Sequence, residues 1–294
     1  MKRFLLLSLL LAATIPFVHA QEIVLPRLSP KASVSFTIGL TDVAIKYGAP
    51  AVRERVIWGK VVPYGKVWRA GANEATTVEF STDVNMEGQT LKAGKYSLFI
   101  IPGEGEESWE VVFNKKADQW GTVTYQEAED AIRFTTNPKL NESMVDRLTY
   151  TIHEHDKKMD AGYIKLSWEK MRLYMRFRVN TTEQAYANII SALEKSPDDK
   201  KWIVYAQGAQ FLIDADGNAD QAVEWATKST ESFSTSWNWY IRAQAEAKKG
   251  DMTAAVVSGT KSAEIGLADE KDNFYEDNKS EINSAIQGWA AKMN

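Results

Sequence analysis

The segment LYMRFRVNTTEQAYANIISALEK, residues Leu173–Lys195, contains the change that decides the fold. Before residue 180, apolar side chains occupy every second position from Leu173 to Val179, which is the pattern of a half-buried β-strand. After it, Thr181 and Gln184 have the spacing of a capping box, which predicts a helix to about Lys195. We therefore expect strands before residue 180 and helices after it.

The composition of the chain changes at the same place. Seven of the eight Pro residues precede residue 180, whereas Ala increases from 12 in residues 21–180 to 19 in the shorter stretch 181–294. Pro interrupts helices and sheet hydrogen bonds, and Ala is the strongest helix former. Together these observations predict a multidomain β + α protein, with a β domain at residues 21–180 and a helical domain at residues 181–294.

The first half repeats the two-residue alternation of half-buried strands. Eight or more short strands at this spacing predict an antiparallel β-sandwich of jelly-roll-like type. A short helix is expected at Tyr125–Ala131, where acidic residues would suit a helix start. The expected strands lie near residues 34–38, 43–47, 78–80, 90–92, 96–101, 109–113, 148–152, 164–168 and 173–179.

The second half contains an internal repeat. GNADQAVEWATKSTE, residues 217–231, matches GDMTAAVVSGTKSAE, residues 250–264, at seven positions with an offset of 33. A period of about 33–34 residues in helical sequence is typical of tetratricopeptide repeats. Gly217 and Gly250 are expected to form turns inside the helical hairpins. Because the aromatic pattern of that repeat is incomplete, a generic helical bundle is the alternative.

The first twenty residues have the three-part layout of a secretory signal peptide. Lys2 and Arg3 form a basic start, an apolar run extends from Phe4 to Val18, and cleavage is expected before Gln21. The apolar run is shorter than the roughly 20 residues that a membrane helix needs. We therefore expect an exported protein, periplasmic or secreted, whose mature chain begins at Gln21.

Composition excludes several functional classes. The chain has 294 residues, a formal net charge of −4 and no Cys, so disulfides, thiolate nucleophiles and Cys-ligated metals are excluded. Mild acidity gives no support for nucleic-acid binding, which depends on basic patches. No apolar run outside the signal reaches membrane-spanning length. Since His19 leaves with the signal, two His residues remain, and one mature chain cannot form a three-His metal site.

Three stretches of the first half are distinctive: YGKVWRAGANEATTVEF (Tyr64–Phe80), LKAGKYSLFIIPG (Leu91–Gly103) and WEVVFNK (Trp109–Lys115). They resemble the exported bacterial family known as domain of unknown function 2911, over about residues 25–180. A C-terminal helical extension of repeat type is similar to what such proteins carry. The resemblance implies export and the domain boundary, and it implies no reaction, substrate or cofactor.

The segment Trp58–Thr76 is the main candidate site, because it combines aromatic rings, polar side chains and glycines. Aromatic faces beside hydrogen-bonding groups suit a sugar or a peptide. In the competing interpretation, the Trp rings fill the core and Arg69 pairs with Glu74 beneath a loop. The candidate ligand-binding residues are Trp58, Tyr64, Trp68, Arg69, Asn73 and Glu74.

Two further groups of residues carry side chains that could bind a ligand. His153 and His155 alternate along a strand and could ligate a metal, but they lie opposite the apolar residues, which favours a solvent-facing role. Arg172, Arg176 and Arg178 share the outer face of the last strand, where they could meet an acidic partner or the helical domain, or face solvent. No nucleophile elbow, His-Glu-x-x-His motif or phosphate-binding loop occurs in the sequence. We also expect no cofactor.

The preferred functional prediction is a non-catalytic periplasmic binding module for an envelope glycan or a protein segment, with the helical repeats as partner surface. The alternative is a hydrolase that uses carboxylates near the Arg69–Glu74 loop, and a third possibility is a purely structural envelope component. An open cleft with Arg69, Asn73 and Glu74 beside an unpaired carboxylate would favour the enzyme. Mutual burial of the three side chains would weaken even the binding hypothesis.

Overall fold

The computed structural model describes residues 25–104, 107–155 and 160–293. The signal peptide expected at residues 1–20 lies outside these ranges. Within them, ten strands precede six α-helices. The predicted fold class, an antiparallel β-structure followed by an all-α domain, is confirmed.

The elements follow the chain in a simple order. The strands are β1 (Lys31–Ile38), β2 (Thr41–Gly48), β3 (Thr76–Phe80), β4 (Val84–Met86), β5 (Gln89–Leu91), β6 (Gly94–Ile101), β7 (Trp109–Asn114), β8 (Asp130–Thr136), β9 (Lys139–Glu154) and β10 (Ala161–Val179). The helices are α1 (Thr181–Lys195), α2 (Lys201–Asp214), α3 (Ala219–Ser232), α4 (Ser236–Lys249), α5 (Met252–Ala268) and α6 (Asn273–Ala290).

The strands form two antiparallel sheets. The larger sheet has the order β1-β2-β3-β6-β7-β8, and the smaller one has the order β5-β4-β10-β9. The long segment β10 folds back on itself. This is shown by the amide of Val179, at its end, which donates to the carbonyl of Asp160, just before its start, at 2.7 Å. The positive φ of Glu169, 53°, marks the reversal. Apolar residues of both sheets meet in one core, so the domain is a two-layer sandwich.

Alternation along the strands explains which faces are buried. Val43 and Ile45 of β2 point into the core and are fully buried, whereas Asp42 and Lys46 point outward. The short helix expected at Tyr125–Ala131 is present only as a 3-10 turn at Glu127–Glu129, and residues 130–131 already belong to β8. A 3-10 turn leads directly into β8 there, because β8 pairs with β7 and buries apolar side chains in the core.

The sequence repeat corresponds to two equivalent helical hairpins, α2–α3 and α4–α5. Ser229 in α3 donates its hydroxyl to the carbonyl of Trp202 at 2.8 Å. The equivalent Ser262 in α5 donates to the carbonyl of Ser236 at 2.7 Å. Gly250 forms the turn between α4 and α5 with a φ of 96°, which L-residues with side chains rarely adopt. The matching serines therefore tie each hairpin together in the same way.

The helix starts are partly as predicted. Asn180, rather than Thr181, caps α1, so the predicted cap is wrong by one residue. The segment Ser196–Asp199 leads into a 3-10 turn, and α2 begins after it. The caps expected for α3 and α5, Asn218 and Asp251, are confirmed.

Asn180 is the junction between the last strand and the first helix. The buried apolar cluster of the sandwich is separate from those of the helices. Across the junction, the side-chain amide of Gln184 donates to the hydroxyl of Thr82 at 3.2 Å. In the described part of the chain, no helix combines the length and the apolar character required to cross a membrane.

Candidate functional site

The Trp residues of the candidate segment lie against the core of the sandwich. Trp58 and Trp68 pack with Trp109 and Trp168 in one cluster, with ring centroids 4.6 to 5.8 Å apart. Trp109 and Trp168 are each 1% exposed. The indole N–H of Trp68 donates to the carbonyl of Gly71 at 3.1 Å. Other protein rings therefore occupy the faces of these indoles.

Tyr64 lies beside a tight turn. Gly59 has a φ of 82°, and a Cβ at this position would lie 2.8 Å from the Tyr64 ring. The half-buried ring therefore packs directly on the backbone of the turn. This contact explains why a glycine occurs at residue 59.

Arg69 and Asn73 connect two loops. Arg69 Nη1 donates to the carbonyl of Asn73 at 3.2 Å, and the amide of Gly121 donates to the same carbonyl at 3.1 Å. The side-chain amide of Asn73 donates to the carbonyl of Ser29 at 3.3 Å. A Cβ at Gly121 would lie 2.7 Å from Arg69 Nη1, so the two loops pack closely. Each of the two side chains therefore donates a hydrogen bond to a backbone carbonyl.

Glu74 has a different partner from the one expected. Both of its carboxylate oxygens accept hydrogen bonds from Arg27 Nη1, at 2.7 and 2.8 Å. Lys31 Nζ lies 3.7 Å from the same carboxylate. The pairing of Glu74 with Arg69, which the competing interpretation expected, is therefore wrong. The hydrogen bond from Arg27 is the main cause that lowers the pKa of Glu74, so this carboxyl is ionised at neutral pH.

Glu74 lines a groove on the outer face of the larger sheet, with a volume of about 570 Å³. The floor comes from outward-facing positions of neighbouring strands. Lys46 of β2 lies opposite Ser33 of β1 and opposite Thr77 of β3. The loop that includes Trp120 forms a wall. A groove of this size is within the range of small-ligand sites.

The exposed aromatic ring of the groove belongs to Trp120. Trp120 is 61% exposed, although its loop is well anchored. The carbonyl of the preceding residue, Gln119, accepts from the amide of Ala75 at 2.9 Å. The buried side chain of Gln119 donates to Asn114 Oδ1 at 3.0 Å. The indole is therefore displayed from a fixed backbone, with a face available for stacking.

The groove has an excess of positive charge. Lys31, Lys46 and Lys95 line it together with the two carboxylates Glu74 and Asp118. Lys95 lies 3.4 Å from Asp118, and Lys31 lies near Glu74. Lys46 forms no ion pair with any residue that the structure describes. Because Arg27 neutralises Glu74, the ammonium of Lys46 remains available for a ligand.

The two histidines lie on the outer face of the smaller sheet. His153 Nε2 is 2.9 Å from the hydroxyl of Thr151, and its ring stacks on Tyr163 with centroids 5.0 Å apart. Within residues 25–104, 107–155 and 160–293, no group of three or more His, Asp or Glu residues could hold a metal ion. His153 and His155 therefore have no supporting ligand set in the described part of the chain.

The arginine row lies on the same outer face as the histidines. The guanidinium groups of Arg172 and Arg176 lie 5.9 and 6.0 Å from the ring centroid of Tyr174. Arg178 Nη1 is 3.4 Å from Asp160. The two sheets of the sandwich separate this cationic surface from the groove.

The sequence interpretation missed Lys46 and Trp120. Trp120 follows Gln119 in a polar loop, where a single large aromatic residue would have been a signal for an exposed ring. Lys46 gave no comparable signal, because charged residues alternate with apolar ones along most of these strands. Of the six predicted residues, Glu74 lines the groove, and Arg69 and Asn73 hold the loops beside it.

The fold and the site define a class: an antiparallel β-sandwich with a surface groove, followed by a helical repeat domain. A comparison with protein-family models matches residues 29–177 to the family described as protein of unknown function, DUF2911. The chain belongs to this family, as its sequence motifs predicted. A search of curated proteins and a search of solved structures each found no match.

Proposed function

We propose that the protein is a non-catalytic binding module that holds a glycan in the groove of the larger sheet. The observation that carries the proposal is the exposed Trp120, on an anchored loop, in the same groove as the hydroxyl residues Ser33 and Thr77. Sugar rings stack on aromatic faces, while their hydroxyls require hydrogen-bonding neighbours. A protein partner is better assigned to the helical repeats, whose hairpins offer a surface separate from the groove.

The hydrolase alternative is less well supported. A glycosidase needs one carboxylic acid that keeps its proton at working pH. The pKa of Glu74 is lowered by the hydrogen bond from Arg27, so Glu74 has no proton to donate. The other carboxylate of the groove, Asp118, has a side chain that is 94% exposed. The environment of Glu74 therefore does not provide the raised pKa of a general acid.

The test of the groove compares two substitutions on one loop. Trp120→Ala removes the proposed stacking surface, and Val123→Ala removes an 86% exposed side chain nearby. We expect oligosaccharide binding by the mature protein, measured by calorimetry against an envelope-glycan panel, to be lost in Trp120→Ala and kept in Val123→Ala. Equal affinities in both variants, or no binding by the parent protein, would overturn the proposal.

Export is part of the same proposal. It rests on the signal-like sequence of residues 1–20, and it predicts a protein of the periplasm or the extracellular medium. Mass spectrometry of the envelope and secreted fractions should show an N-terminus at Gln21. A chain that still begins at Met1 and stays in the cytosol would contradict it.

The two halves are proposed to fold independently. The separate buried clusters and the short junction at Asn180 support this. Fragments 21–180 and 181–294 should each give a cooperative unfolding transition in urea. If neither fragment folds while the whole protein does, the two halves form one interlocked unit.

A further inference from the structure

The chemistry of the groove floor narrows the ligand class beyond a glycan in general. Lys46 is exposed on the outer face of β2. Its cross-strand neighbours, Ser33 and Thr77, carry hydroxyl groups and no charge. By contrast, Lys95 has Glu79 directly opposite on β3. The ammonium of Lys46 therefore stands among hydrogen-bonding groups with no anion directly opposite.

None of the nearby acidic side chains that the structure describes forms an ion pair with Lys46. Glu74 accepts two hydrogen bonds from Arg27, and Lys31 lies 3.7 Å from it. Glu79 lies one outward-facing position along β3 and forms no ion pair with Lys46 in the described structure. An anionic group at the groove floor would therefore meet an ammonium that no carboxylate pairs with directly.

The groove combines this charge with an aromatic platform. Lys46 lies on the floor and Trp120 forms part of the wall of the same groove. A uronic acid presents an apolar C–H face for stacking and a carboxylate at the ring edge, so one sugar unit can use both features. A lysine suits a single carboxylate, because its ammonium is a compact point charge. We infer that the groove selects acidic sugars, with Lys46 binding the carboxylate and Trp120 stacking on the ring.

This inference rests on the proposed glycan-binding function, and the experiment separates the two. The mature protein is titrated calorimetrically with oligosaccharides of glucuronate, galacturonate and mannuronate, and with the methyl esters of the same compounds. Esterification removes the charge and keeps the ring. We expect at least one acid to bind about tenfold more tightly than its ester, with an advantage that shrinks at high salt.

Variants of Lys46 test whether this side chain causes the preference for the acid over its ester. Lys46→Gln should remove the preference for the acid and leave the affinity for the ester unchanged, whereas Lys46→Arg should keep the preference. Lys115→Gln, an exposed substitution outside the groove, is the matched control and should behave as the parent. Trp120→Ala should weaken both the acid and the ester, because both stack on the indole.

The outcomes separate selectivity for acidic sugars from glycan binding in general. If acids and esters bind equally and Trp120→Ala weakens both, the inference about acidic sugars fails and the glycan-binding proposal stands. If no sugar binds, or if Trp120→Ala has no effect, both fail. If polyglutamate binds as well as the uronates through Lys46 and independently of Trp120, the occupant is an acidic peptide and the inference is overturned.

Discussion

The tryptophan cluster and Trp120 lie in the same sandwich domain and have opposite surroundings. Trp58, Trp68, Trp109 and Trp168 surround one another, and two of them are 1% exposed. Trp120 is 61% exposed on a loop whose backbone is held by hydrogen bonds. Tryptophan therefore stabilises the core in the cluster, whereas the indole of Trp120 is mostly exposed to solvent. A conspicuous aromatic motif in the sequence does not by itself identify a binding surface.

The largest loss of stability is expected when a side chain of the tryptophan cluster is truncated. Trp168→Ala should lower the free energy of unfolding by about 3–5 kcal/mol, because it removes a buried indole that packs against two others. Urea denaturation of the mature protein measures the change. Trp168→Phe keeps a ring and should cost less. A loss under about 1 kcal/mol for Trp168→Ala would show that the cluster contributes little.

The next-largest loss of stability is expected at Arg69, which follows Trp68 of the cluster and contacts Gly121, the neighbour of Trp120. Arg69→Ala removes a hydrogen bond from a charged donor to the carbonyl of Asn73, and should cost about 1–2 kcal/mol. The midpoint of urea unfolding, compared with that of Arg69→Lys, gives the value. A loss of 3–5 kcal/mol would instead indicate a buried ion pair of Arg69.

A smaller, pH-dependent change in stability is expected at Glu74, which lines the groove. The folded pKa of Glu74 lies below its ordinary value of 4.5, so its pairing stabilises the protein above that pH. This stability is lost as the pH falls through the lowered folded pKa. Since Glu74 and Arg27 are both about 40% exposed, the contribution should not exceed about 1 kcal/mol.

The measurement for Glu74 is a pair of stability profiles. The difference in unfolding free energy between the parent and Glu74→Gln should be constant from neutral pH to about pH 5, and should shrink below pH 4.5. A difference that grows on acidification would contradict the lowered pKa. Arg27→Ala provides the matched control, since it should remove the same pH dependence.

The smallest effect on stability is expected at Trp120. Trp120→Ala should change the free energy of unfolding by less than about 0.5 kcal/mol, because most of the side chain is already in water. The same variant should lose glycan binding. If its stability falls by several kcal/mol, the indole is a structural residue and the contrast with the cluster disappears.

Much of the fold could be predicted because its signals are local. The alternation from Leu173 to Val179 and the repeat at residues 217–231 and 250–264 lie within short windows of sequence. The strand β8 was missed for the opposite reason. The acidic residues Glu127–Glu129 before it form a short 3-10 turn, and pairing with β7 decides the conformation of the strand that follows.

The sequence by itself determined that strands precede helices, that the change occurs at residue 180, and that the second half is built from repeated hairpins. Periodicity and capping are properties of neighbouring residues, so they can be read without the fold. The tertiary structure decided that Trp58 and Trp68 pack in the core, that Glu74 pairs with Arg27, and that Trp120 and Lys46 share one groove. These facts depend on contacts between distant segments, and the exposure of a side chain is fixed only when those segments pack together.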